Sequence, residues 1–103
     1  MEKLDVVIKT LEEKQAEDIE VIDLKGKSSV ADFFVIANGN SISQNKALSD
    51  HVEENLEKEG FKVLSIEGLR EGKWILLDCG EVIVHIFTKD DRDYYNLENL
   101  WED

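Results

Sequence analysis

The chain has 103 residues, 42% hydrophobic and 35% charged, which predicts one domain spanning 1–103 with a modest core and excludes wholesale disorder. Its 24 acids against 12 bases give a formal net charge of −12; such a chain is repelled by a bare phosphate backbone and attracted to basic partners, although the same charge also serves solubility. No apolar run approaches the roughly 20 residues of a membrane helix, and the acidic start Met1-Glu2-Lys3-Leu4-Asp5 differs from a signal or transit peptide, so a cytoplasmic protein is expected, with no membrane and no direct nucleic-acid binding.

Leu4, Val7, Ile8 and Leu11 recur at helical spacing and predict an amphipathic helix ending near Lys14. Glu20 to Leu24 is short and β-branched, and Lys25-Gly26 follows it, as in a strand and turn. Phe33 to Ala37 is a continuous apolar run, expected to be a buried strand, which Asn38-Gly39-Asn40 breaks. Ser41 stands three residues before Gln44, a capping-box spacing, and Ile42, Leu48, Val52 and Leu56 follow on one side of a helix that Gly60 can end. Phe61 to Glu67 alternates and reads as a strand. Trp74 to Asp78 and Val82 to Phe87 read as two more. Asp90 can cap a last short helix with Tyr94, Leu97 and Trp101 on one face. The order predicts a single α/β domain: a mixed sheet of about five strands with helices packed on it.

The segment from Trp74 to Phe87 is the most informative. With Cys79 and Gly80 as the turn, Asp78 lies opposite Glu81, Leu77 opposite Val82, Leu76 opposite Ile83, Ile75 opposite Val84 and Trp74 opposite His85. Strand side chains alternate between faces. One face then collects Ile75, Leu77, Val82, Val84 and Ile86, all aliphatic, as a sheet shows to covering helices. The other collects Trp74, Leu76, Asp78, Glu81, Ile83, His85 and Phe87. A surface mixing aromatic, apolar and charged groups suits a protein interface. The same pattern also fits a tryptophan packed under a helix beside an internally bonded histidine, and the pattern leaves the two readings open.

Catalytic constellations are missing. There is no nucleophile elbow, P-loop or dinucleotide fingerprint. Gly39-Asn40-Ser41 could offer backbone N–H groups to a phosphate, or be an ordinary capped turn. Asp78 and Glu81 flank a turn without a phosphate clamp, and Asp90, Asp91 and Asp93 read as first-turn acids favoured by the helix dipole. Cys79 is the only cysteine, so it can form neither an internal disulfide nor a cysteine zinc cluster. It lies at the turn, too far from His85 for a thiol–imidazole pair. His51 and His85 are too few for a metal site of their own. No metal and no cofactor are expected.

The runs Val21-Ile22-Asp23-Leu24, Ser28 to Ala37 and Gly39-Asn40-Ser41 resemble the front half of ribosomal silencing factors of the Iojap family. Glu67-Gly68, Trp74 to Asp78, Gly80 to Phe87 and Tyr94 to Trp101 resemble its second half, so the resemblance covers nearly the whole chain. It implies a nucleotidyltransferase-like fold without known catalytic activity. It further implies binding to a large-subunit ribosomal protein, number fourteen, a steric block to subunit joining, repression of translation when nutrients are short, and a capacity to form homodimers. Organelle relatives are linked to large-subunit assembly. Carried over by position, Trp74, Leu76, Asp78, Glu81 and His85 are the candidate partner contacts. Cys79 departs from the larger apolar or aromatic residue the family often has, and Glu81 from the usual aspartate. The alternative of a different class is a nucleotidyltransferase-like enzyme or nucleotide binder using Gly39 to Ser41.

Overall fold

Apolar periodicity places the first helix. Val6, Val7, Thr10 and Leu11 turn one side of α1 (Lys3–Glu13) into the core. The remaining elements are β1 (Glu17–Asp23), β2 (Phe33–Asn38), α2 (Ile42–Lys58), β3 (Ser65–Glu67), β4 (Trp74–Asp78), β5 (Val82–Phe87), α3 (Lys89–Tyr95) and α4 (Leu97–Leu100). These come from a computed structural model that describes residues 1–100. Trp101, expected on the last helix, lies outside the described residues.

The sheet has five strands in the order β1-β2-β5-β4-β3. β2 and β5 pair in parallel, and the other neighbours are antiparallel. A parallel pair needs a long crossover, here supplied by α2, β3 and β4. Helices α1 and α2 cover one face of the sheet. Val7, Leu11, Leu48 and Val52 meet Leu77 and Val84 there in the main core. Ser41 caps α2 by accepting the Gln44 N–H at 3.0 Å, and Gly60 follows its end at φ +85°. Ile42, expected on the inner side of α2, is 40% exposed, while Asn45 and Ser49 are buried beside Leu48 and Val52.

Four expectations change. First, the hairpin register moves by two. Trp74 opposes Phe87, Leu76 opposes His85 and Asp78 opposes Ile83. The turn residues are Gly80 and Glu81, because the Cys79 N–H donates to the Val82 carbonyl at 3.0 Å and Gly80 takes φ +90°. Sheet faces repeat every two residues, so this slip preserves both face assignments. Glu81 alone leaves its face, for the turn. Second, the strand expected over Phe61 to Glu67 forms only at Ser65–Glu67. The Phe61 N–H is taken by the Leu56 carbonyl at the end of α2. Third, β1 begins earlier than Glu20, with an irregularity between Glu17 and Glu20 and Asp18 at φ +49°. Leu24 has left the strand, and its N–H donates to Asp32. Fourth, Thr88, not Asp90, caps the helix after β5, accepting the Asp91 N–H at 3.3 Å. Asn96 at φ +50° separates α3 from α4.

Leu77 is fully buried against α1 and α2. Leu77→Ala should therefore destabilise the fold by roughly 2–5 kcal/mol through transfer and cavity terms. A urea titration should show a lower midpoint with an unchanged slope.

The open face of the sheet as a candidate docking site

The face opposite α1 and α2 carries the other alternate residues of β2, β4 and β5. Its cover is partial. Leu24, Ala31 and Ile83 form a small cluster at one end, against which Ile22, Phe34 and Leu76 pack. At the other end, Tyr95 from α3 lies against Phe87, with ring centroids 6.3 Å apart. Between these ends Trp74, Leu76 and Asp78 stay half-buried on β4.

Trp74 is held on several sides. Its indole N–H donates to His85 Nδ1 at 3.1 Å. Its ring lies 5.0 Å from Phe87 and 4.5 Å from Tyr95. Upstream, Gly68 sits at φ +78° against the Trp74 carbonyl, which an added Cβ would overlap. Asp78 closes the stripe. Its Oδ1 accepts the Gly80 N–H at 2.9 Å and so shapes the turn.

The other two candidates stand differently. Glu81 is exposed in the turn and pairs with Lys3 at 2.6 Å. It does not sit opposite Asp78. His85 is only 3% exposed. It packs edge-on to Phe34 at 4.7 Å. Of the five, the structure thus brings Trp74, Leu76 and Asp78 together on an accessible stripe, with His85 beneath and Glu81 at the margin.

Burial pushes the Cys79 thiol up to about 11, and Cys79 belongs to the core on the helix-covered side, away from His85. Among the described residues, no group of three or more His, Cys, Asp or Glu is placed to hold a metal ion. At the other candidate loop, the Gly39 N–H donates to both Phe87 O and Asn45 Oδ1, and the Asn40 N–H donates to Gln44 Oε1 at 2.6 Å. These donors are engaged within the chain, which leaves them poorly placed for a phosphate.

Sequence reasoning missed three contributors. Tyr95, not Tyr94, packs on Trp74, and Tyr94 is 78% exposed. Asn45 Nδ2 donates to the Gly72 carbonyl at 2.8 Å, tying α2 to the loop before Trp74. Arg92 is buried, donating to the Asp18 carbonyl at 2.6 Å and to Asn38 Oδ1 at 2.9 Å, which fixes α3 to the sheet. A lone arginine amid Asp90, Asp91 and Asp93 was the available signal.

Burial lowers the His85 pKa from 6.5 to about 4. Unfolding therefore takes up a proton between those values, and the stability this neutral imidazole contributes is lost as pH falls through that window. The loss should approach roughly 3 kcal/mol at pH 4. Denaturant titrations at pH 7 and pH 4.5 should show a smaller difference for His85→Phe than for the unsubstituted protein.

The family profile described as "Ribosomal silencing factor during starvation" matches residues 1–103. The ribosomal silencing factor RsfS of Bacillus subtilis is 43% identical over 100 residues, covering 97% of this chain and 85% of that protein. A crystal structure of a Chromobacterium violaceum protein superposes with a TM-score of 0.93 at 35% identity, covering 98% of this chain and 87% of that one. The chloroplastic Iojap protein of Zea mays is 36% identical over 93 residues, covering 90% of this chain and 40% of that longer protein. With its whole length matched by the profile and with relatives this similar, the chain belongs to the RsfS family of ribosomal silencing factors, regulators of translation and not enzymes.

Proposed function

We propose that the Trp74–Leu76–Asp78 stripe docks on ribosomal protein number fourteen of the large subunit, where that subunit meets the small one. The bound domain then blocks subunit joining by its bulk and lowers translation under starvation. The observation that carries this reading is the half-buried stripe itself. It sets a tryptophan and a leucine beside one carboxylate on β4. Aromatic anchors with a polar neighbour are typical of interface centres. The chain's formal net charge of −12 suits a basic ribosomal protein. Similarity to bacterial relatives supports action in the cytoplasm, although the Zea mays relative is named chloroplastic.

Sucrose-gradient centrifugation tests the reading. The protein should co-sediment with isolated large subunits and lower the yield of joined ribosomes when small subunits are added. Trp74→Ala should weaken this binding by about 2 kcal/mol or more, and Asp78→Ala should weaken it by leaving a basic partner group unpaired. An unchanged ribosome profile at large molar excess would overturn the proposal.

Charge makes a second prediction. Association with the free ribosomal protein should slow as salt rises, because screening weakens steering between an acidic and a basic protein. Stopped-flow rates across a salt series would measure it, and a rate that is flat or rises with salt would count against steering.

A further inference from the structure

We propose that His85 is a positioning residue for the docking stripe: its Nδ1 holds the Trp74 indole N–H, so that Trp74 offers a partner its ring and not its donor. This rests on the reading of the stripe as the docking site.

The register makes the contact informative. Trp74 stands opposite Phe87, and His85 stands opposite Leu76. The indole therefore reaches diagonally across the strand pair to His85, a span that aromatic side chains can bridge. Because Nδ1 accepts the bond at 3.1 Å, the proton of the neutral ring resides on Nε2. That atom is buried and has no hydrogen-bond partner. An unpaired buried donor is costly, and an apolar residue at this place would avoid it. What histidine supplies and an apolar residue does not is the acceptor for Trp74.

The surroundings fix the imidazole in turn. Phe34 packs edge-on to it at 4.7 Å, and Phe87 stacks at 6.2 Å with an interplanar angle of 11°. With His85 on the indole nitrogen and Tyr95 at 4.5 Å, little rotational freedom remains to Trp74. A side chain already held in place loses less entropy on binding. The partner group at this point is thus apolar or cationic, suited to a ring face, and not a hydrogen-bond acceptor.

The first measurement needs no substitution in the pair. Imidazole nitrogen shifts of the free protein at pH 7 should report Nδ1 unprotonated and Nε2 protonated; the opposite tautomer would overturn the proposal. Trp101→Phe then leaves Trp74 as the only indole. In that background, His85→Phe should move the indole N–H resonance and speed its exchange with water. Binding to isolated large subunits should weaken about tenfold, the scale of one hydrogen bond. His85→Asn places an amide oxygen near the former Nδ1 and should restore most of both. The double variant Trp74→Phe/His85→Phe should bind no more weakly than Trp74→Phe alone. An unchanged indole resonance, unchanged binding despite a moved resonance, or additive losses would each overturn the proposal. If circular dichroism shows His85→Phe unfolded, the tautomer alone decides. Failure of the unsubstituted protein to bind large subunits would instead refute the docking reading, while the tautomer and indole measurements would still judge the role of His85.

Discussion

Strand β5 is the constraint on which the rest depends. All six of its residues, Val82 to Phe87, are buried. It is flanked by a parallel neighbour and an antiparallel one, so both faces need cover from elsewhere. The two longest helices, α1 and α2, both fall on one face. The other face has only a small cluster around Leu24 and Tyr95 from the short helix α3. The half-buried stripe on β4 is the remainder of that uneven arrangement. It exists because the crossover from β2 to β5 places its helix on the side already occupied by α1.

Buried polar groups hold the partial cover in place. A charge this deep must be fully paired. Arg92 meets the carbonyl of Asp18, the amide of Asn38, and Glu98 at 3.3 Å. Those bonds join α3 and α4 to the bulged start of β1, and they carry Tyr95 onto Trp74. On the opposite flank, Asn45 accepts from Gly39 and donates to Gly72. That amide links the end of β2 to the loop entering β4. The geometry of Trp74 is therefore set by two polar clamps distant in sequence, together with Gly68 pressed against its carbonyl.

This division explains what could be read in the chain and what could not. Alternation in β4 and β5 placed Ile75 and Leu77 against the helices and Trp74, Leu76 and Asp78 away from them, and that survived a register slip of two because faces repeat every two residues. The turn itself was misplaced. Cys79 is apolar enough to enter the core, which moves the turn onto Gly80 and Glu81. Local pattern does not reveal such competition. It also cannot show that Phe61 gives its N–H to Leu56 and not to β4, or that Glu81 pairs with Lys3, 78 positions earlier in the chain. The sequence left open whether His85 packs internally or forms a contact. Its diagonal bond to Trp74 depends on the true register, which local pattern does not reveal. Arg92 and Asn45 act through contacts across the fold, invisible to spacing within one element.

The sheet edges are poorly suited to pairing with a partner strand. An exposed strand edge is a template for pairing with another chain. At one edge, β1 carries Glu17, Asp18, Glu20 and Asp23, and its irregularity between Glu17 and Glu20 interrupts the ladder. At the other, β3 has three residues, with exposed Ser65 and Glu67. Charge, bulge and shortness all discourage strand addition. The face offers the opposite combination: an indole held by His85, a leucine beside it, and Asp78 already oriented by its bond to Gly80. Distributed acids accelerate encounter with a basic surface, whereas a desolvated aromatic anchor governs how long the complex lasts. On the proposed docking reading the two tasks fall on separate residues, with charge spread over edges and helices and the anchor confined to one stripe of β4.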